Sequence, residues 1–258
     1  VGEFTVLAGE NRNRIARLEA DGTLDPSFNP AAYANNTVRE VLVQPDGKVL
    51  LGGEFTVING VTRNRIARLN ADGTLDVGFD PGAGFSSTVS TLDLQPDGKI
   101  LVGGAFTRYQ GLDRKYLARL LSDATLDVTF GSAGGVNTGG VWDLELWADG
   151  RVLIGGAFTQ VEGLPRARVA LLESNGTVDV SFDPGEGPND QVYVVKSEAD
   201  GNILIGGRFT RVNGTGRNRL ARLTPTGLLE ASLVNGGGFN HYVHDLGTSS
   251  SCTALDIS

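Results

Sequence analysis

"PDGKVLLGGEFTVINGVTRNRIARLNADGTLD" occupies Pro45 to Asp76, and "PDGKILVGGAFTRYQGLDRKYLARLLSDATLD" occupies Pro96 to Asp127. The second stretch spells the first again with few changes. The Phe-Thr pair inside them recurs at Phe4, Phe55, Phe106, Phe158 and Phe209, in steps of 51, 51, 52 and 51 residues. A fixed period of this size marks a repeat architecture, and it decides the fold before any single element does.

One unit reads as four short strands. "TVREVLVQ" is rich in β-branched residues and stops at Pro45-Asp46-Gly47, a strong turn signal. "KVLLGGEFTVI" is the second strand, closed by Asn59-Gly60. "RNRIARLN" is the third, closed by Asp72-Gly73, and "LDVGF" the fourth, closed by Asp80-Pro81-Gly82. No segment carries the 3.6-residue period of an amphipathic helix.

A sheet this small, apolar on both faces, must hide those faces against neighbours, and four-stranded units arranged radially do so as a β-propeller. The sequence therefore predicts an all-β fold: a five-bladed β-propeller of four-stranded antiparallel blades, one domain over residues 1–258. The glycine pairs Gly52-Gly53, Gly103-Gly104, Gly155-Gly156 and Gly206-Gly207 are expected to let adjacent blades approach. The recurring Phe residues, including Phe28, Phe79, Phe130 and Phe182, are expected in the core.

The tail "YVHDLGTSSSCTALDIS" matches strand one of the other units through Val243 and Leu246, and Ile257 and Ser258 align with Val1 and Gly2. This predicts a ring closed by pairing the N- and C-terminal segments. An open solenoid, or a fragment of a larger ring, is the alternative. Methionine is absent even at position 1, so the chain is expected to be processed or cut from something longer.

Bulk composition removes several function classes. The net charge of −8 disfavours nucleic acid, whose nonspecific binding needs a basic face. No apolar run approaches the roughly 18 residues of a spanning helix, so no membrane insertion is expected. Cys252 is the single cysteine, which leaves no internal disulfide framework.

The motifs P-D-G-K, G-G-x-F-T, R-N-R-[IL]-A-R-L and L-D-x-x-F-D-P-G, in that order, resemble the delta-60 repeat, a bacterial β-propeller repeat of unknown function. The resemblance covers essentially the whole chain and departs from it at "TPTGLLEASLVNGGG" and in the Ser-rich tail. It implies an extracellular or cell-surface setting and no particular reaction. Kelch units share the period and a glycine pair, but their Tyr and Trp positions are missing here.

Repeated charge reads first as structure. Arg12, Arg63, Arg114, Arg166 and Arg217 recur in strand three, and Asp25, Asp76, Asp127 and Asp179 in strand four, as expected of ion pairs repeated by symmetry. The rival reading is a ring of guanidiniums for sulfate, phosphate or uronic-acid groups.

Positions where the repeat stops repeating are better site candidates. Strand one lines the axis of a propeller. After its first fixed valine stand Arg39, Ser90, Trp142, Tyr193 and His244. Glu40, Asp93, Asp143, Glu145 and Asp245 follow at the next or third position, so five carboxylates could gather near the axis. A water-filled acidic channel is one reading; a cation site, or a docking point for a basic group, is the other. The variable loops from strand four back to strand one offer Tyr33, Phe85, Phe239 and Tyr242 as exposed contacts.

Catalytic motifs such as G-x-S-x-G, H-E-x-x-H and C-x-x-C are missing. No cofactor is expected apart from the cation just named. The leading expectation is a non-catalytic binding or interaction scaffold of a secreted or surface bacterial protein, with a protein or glycan ligand. A lectin-like propeller for anionic glycans, and a polysaccharide hydrolase or lyase using axial carboxylates, are the alternatives.

Overall fold

A computed structural model describes residues 1–28, 34–131, 135–231, 233, 239–248 and 253–256. Every regular element among them is a β-strand. The chain divides into two compact units, Val1–Arg114 with Ala118–Asp127, and Lys115–Leu117 with Val128–Ser258.

The repeat is built from a three-stranded antiparallel sheet and a separate hairpin, not from four strands in one sheet. In the second repeat Val38–Val43, Val49–Gly53 and Ile66–Leu69 pair in that order. The expected long second strand breaks at Gly53. Its remainder, Val57–Ile58, folds onto Val61–Thr62 as a two-stranded hairpin. Asn59 and Gly60, at φ 54° and 74°, form the turn between them. Two positive φ values in a two-residue loop define a type I′ turn, which suits the twist of a hairpin. The expected fourth strand shrinks to one bridge, Leu69 to Leu75. Sheets starting at Val141 and Val192 repeat this plan in the second unit. There Asp245–Thr248 also pairs with Thr253–Asp256. Ile257 and Ser258, on which the expected ring closure was aligned, lie outside the described residues.

Phenylalanine fills the cores as expected, except that Phe4 is only half-buried. In the first unit Phe79 and Phe106 pack with Leu50, Ile66 and Ile100. In the second, Phe182 and Phe209 pack with Val192, Ile203 and Leu223.

The two glycines of each pair have different reasons. A Cβ on Gly52 would lie 2.6 Å from Val89 Cγ1 of the next sheet, the close approach anticipated from the sequence. A Cβ on Gly53 would lie 2.3 Å from the Thr37 carbonyl oxygen, so its constraint comes from strand one of its own sheet. That crossing coincides with a β-bulge. Val38 pairs with Gly53 and Glu40 with Gly52, leaving Arg39 as the extra residue. The same shift leaves Ser90, Trp142 and Tyr193 as bulge residues. A bulged residue has no partner across the ladder, so its identity can vary without disturbing the sheet.

The repeated Asp does pair with Arg, but with a different Arg from the one expected. Asp76 Oδ2 accepts from Arg68 Nε at 2.7 Å and from Lys48 Nζ at 2.9 Å. Asp25 Oδ2 accepts from Arg17 Nε at 2.6 Å. Arg17 and Arg68 then reach the next repeat, donating to the Ala71 and Ser122 carbonyls at 2.8 and 2.7 Å. Arg63 instead folds back onto the Thr62 carbonyl at 2.9 Å, with Asp80 at 3.5 Å. Arg166 does the same with the Pro165 carbonyl and Asp183. Arg63 and Arg166 are each 7% exposed, so they do not display guanidiniums to a polymer.

Candidate functional site

One of the bulge positions, Tyr193, and the His241–His244 segment bring rings together on the second unit. Tyr193 projects from the bulge of Val192–Ser197, and His244 stacks on it with centroids 4.8 Å apart and planes at 6°. Tyr242 meets both rings edge-on, at 6.2 Å from Tyr193 and 6.3 Å from His244. His241 lies 5.6 Å from Tyr242. His241 and His244 are exposed, and Tyr193 and Tyr242 are half-buried. Tyr242 thus contacts both histidines. Trp142, also a bulge residue and half-buried, donates from Nε1 to Gln191 Oε1 at 3.1 Å.

Cations frame these rings. The guanidinium carbons of Arg208 and Arg219 each lie 5.4 Å from the Tyr242 centroid. At that range a guanidinium is attracted to the ring face and fixes its orientation. Arg219 is held in turn by the Arg208 and Phe209 carbonyls, at 3.0 and 3.1 Å. Arg208 also pairs with Asp190 at 3.2 Å. Sequence reading passed over Arg208 and Arg219. The available signal was the variable place in G-G-x-F-T, where Glu3, Glu54, Ala105 and Ala157 give way to Arg208.

The carboxylates serve neighbouring backbone. Asp143 Oδ2 accepts from the Val195 amide at 2.8 Å, and Glu145 Oε2 from the Ser197 amide at 2.6 Å. Both therefore lace Val141–Leu146 to the first strand of the following sheet. Glu145 also holds Lys196 Nζ at 2.8 Å. Burial pushes the Asp143 carboxyl up to about 7, against the opposing pull of the two amides that donate to it. Asp245 is exposed and accepts from the Leu246 amide at 2.7 Å. In the first unit Glu40 accepts from the Val41 amide, Asp93 accepts from the Leu94 amide, and Arg39 is paired with Glu54. Among the described residues, no three His, Cys, Asp or Glu side chains form a group fit to hold a metal ion.

The loop candidates separate. Phe85 is not an exposed contact. It is 1% exposed, bridges Tyr109, and lies 4.3 Å from Phe106 and 4.4 Å from Tyr109 by ring centroids. The bridge pins its loop to the hairpin Arg108–Tyr109/Leu112–Asp113 and drives the ring inward. Phe239 is half-buried and packs against the cluster of Val194, Leu204, Leu220, Val243 and Leu246. Tyr242 joins the aromatic face. Tyr33 lies outside the described residues, as does Cys252.

The family described as "Domain of unknown function (DUF5122) beta-propeller" matches residues 1–28, 44–79, 95–130, 148–182 and 198–233. Comparison with curated proteins gave no match. Among solved structures, one similar fold is the extracellular domain of a protein described as a one-component system of B. thetaiotaomicron. It has a TM-score of 0.55 and 15% identity, over 88% of this chain and 26% of that one. Another is PorZ, described as a bacterial surface component of the type-IX secretion system of Porphyromonas gingivalis, with a TM-score of 0.51 and 14% identity, over 88% of this chain and 32% of that one. The chain thus spans a third or less of these proteins, and identity this low carries the fold alone.

Proposed function

Since the chain belongs to the DUF5122 β-propeller family, we propose that it is a non-catalytic binding module of a secreted or surface bacterial protein. On this reading its repeats, of the delta-60 type, close as five blades with both chain ends in the last. Tyr193 stacked on His244 at 4.8 Å carries the proposal, because it sets two parallel rings, with His244 exposed, against Tyr242 and the two guanidiniums over its ring. Rings held this way offer a flat apolar contact at low entropic cost, and the arginines add polar specificity. The extracellular setting is supported by the family resemblance and by the surface origin of the similar folds.

The test is a binding screen against surface glycans and proteins, using the wild type and a Tyr193→Ala/His244→Ala variant. Capture that drops at least tenfold in the variant is expected. Turnover of a polysaccharide, abolished by Asp143→Asn, would overturn the reading in favour of a hydrolase or lyase.

A further inference from the structure

A groove of about 370 Å³ opens on the second unit between Arg168, the loop Glu186–Asn189 and the hairpin Arg211–Val212/Thr215–Gly216. Its shape is fixed by backbone. Gly187 has φ 67°, and a Cβ there would lie 2.6 Å from the Ala167 carbonyl oxygen. Pro188 is buried and bridged to Val212, which holds the loop against the hairpin. Asn189 Oδ1 accepts from the Thr210 and Arg211 amides at 2.9 and 3.0 Å, so it is committed to the frame.

Two arginines, Arg168 and Arg211, line this groove. No hydrogen bond or ion pair holds the side chain of Arg168 or Arg211 among the described residues. The third repeat shows what occupancy looks like. There Arg108 stands at the place of Arg211, and its register partner Asp113 accepts from its Nε at 3.2 Å. Arg211 has Gly216 at that register, which cannot neutralise it. Two guanidiniums beside one groove are a ready fork for an oxyanion. Glu186 lines the same groove and is exposed. A carboxylate accepts hydrogen bonds only, so it disfavours a bare anion and favours one that also carries hydroxyl donors.

We propose that this groove binds the carboxylate or sulfate group of a hydroxylated polysaccharide, with Arg168 and Arg211 on the oxyanion and Glu186 accepting from a hydroxyl. The proposal rests on the binding-module reading above. Asn189 and Tyr193 are four residues apart, at most about 14 Å of extended chain, so one polymer could reach both the groove and the aromatic face.

The test titrates the full chain with an oligogalacturonate, a sulfated oligosaccharide, a neutral cello-oligosaccharide and poly-glutamate. Binding of at least one of the two charged oligosaccharides is expected, well above the neutral one, and which of them binds assigns carboxylate or sulfate. Arg211→Gln should weaken it at least tenfold. Gly216→Asp should weaken it similarly by recreating the Arg108–Asp113 pair, and a Cβ at Gly216 meets nothing within 4 Å, so the variant should fold. Arg108→Gln should leave binding unchanged. Equal binding by wild type and Gly216→Asp, tighter binding of poly-glutamate, or no binding of either charged oligosaccharide overturns the proposal. Binding that survives Gly216→Asp but falls in Tyr193→Ala would remove the groove and keep the module; turnover of either oligosaccharide would remove both.

Discussion

Arg68 and Asp76 are joined Nε to Oδ2 at 2.7 Å, with 11% and 10% of their side chains exposed. The same arginine donates to the Ser122 carbonyl at 2.7 Å, so one guanidinium closes its own repeat and ties it to the next. The fourth repeat solves the problem differently. Leu171 replaces the arginine, Arg151 replaces the lysine of Lys48, and Arg151 Nη1 reaches Asp179 Oδ2 at 2.9 Å. Each buried aspartate thus keeps at least one long cation.

Replacing Arg68 by Leu should therefore destabilise the protein, but less than the ~3–5 kcal/mol of a buried pair broken outright, because Lys48 remains on Asp76. Roughly 2 kcal/mol is expected, read as a lower urea midpoint. The double variant Lys48→Arg/Arg68→Leu copies the fourth repeat and should recover about half of that loss. No recovery would show that the Ser122 contact, and not the charge on Asp76, sets the energy.

Glycine substitutions should split by location. Gly53→Ala places a methyl 2.3 Å from the Thr37 carbonyl and 3.0 Å from Val38 Cα, both backbone. Relief needs the strand crossing to move, and a loss above about 3 kcal/mol is expected, by analogy with the upper range of overpacking. Gly216→Ala meets nothing within 4 Å. It should be neutral or raise the thermal midpoint slightly, since alanine restricts the unfolded chain, an effect of about 0.4–1 kcal/mol. Equal losses at the two sites would refute the backbone constraint assigned to Gly53.

Asp143 predicts a pH dependence. Its folded value near 7 stands above the ordinary 3.8, so the folded chain keeps a proton that the unfolded chain has released. Stability from this group is full below about pH 4, declines as pH rises towards 7 and is gone above it. Asp25 and Asp76, held down to about 2 by their hydrogen bonds to Ser27 and Arg17 and to Lys48 and Arg68, do the reverse. Their stability is present above about pH 4 and lost towards pH 2. Between pH 5 and 8 the Asp143 effect stands alone of the three, on the order of 2 kcal/mol. Asp143→Asn should flatten that slope, although its single carbonyl oxygen can serve only one of the two amides well. A wild-type urea midpoint equal at pH 5 and 8 would sink the prediction.

The period of 51 to 52 residues made the all-β repeat legible, because stacking equal units is the way such short strands bury apolar faces. Phe55, Phe106, Phe158 and Phe209, all fully buried, follow directly from it. The break at Gly53 was harder to see. "GGEFTVI" reads as continued strand, and only the Asn59-Gly60 turn hinted that Val57–Ile58 pairs locally. The wrong arginine was assigned because Arg63 and Arg68 both recur, and sequence cannot tell which one faces Asp76. The paired structure decides it, since Arg68 lies within Ile66–Leu69 and Arg63 lies before it. Tyr193 and His244 were found from variability alone. Arg168 and Arg211 were not, because their interest lies in having no side-chain partner among the described residues.

Arg208 tests the aromatic face without testing the fold. Its pair with Asp190 is exposed, at 49% and 41% of the side chains, and exposed pairs contribute about 0.2–1 kcal/mol. Its guanidinium also sits 5.4 Å from the Tyr242 ring. Arg208→Glu copies the residue found at Glu3 and Glu54, so the position accepts it in other repeats. In the fifth repeat it sets two carboxylates side by side and removes the cation over Tyr242. Stability should change by less than about 1 kcal/mol, while capture by the aromatic face should fall at least tenfold. Arg208→Lys, which keeps the charge but loses the planar stacking, should fall between the two. Unchanged capture in Arg208→Glu would place the ligand away from Tyr193, Tyr242 and His244.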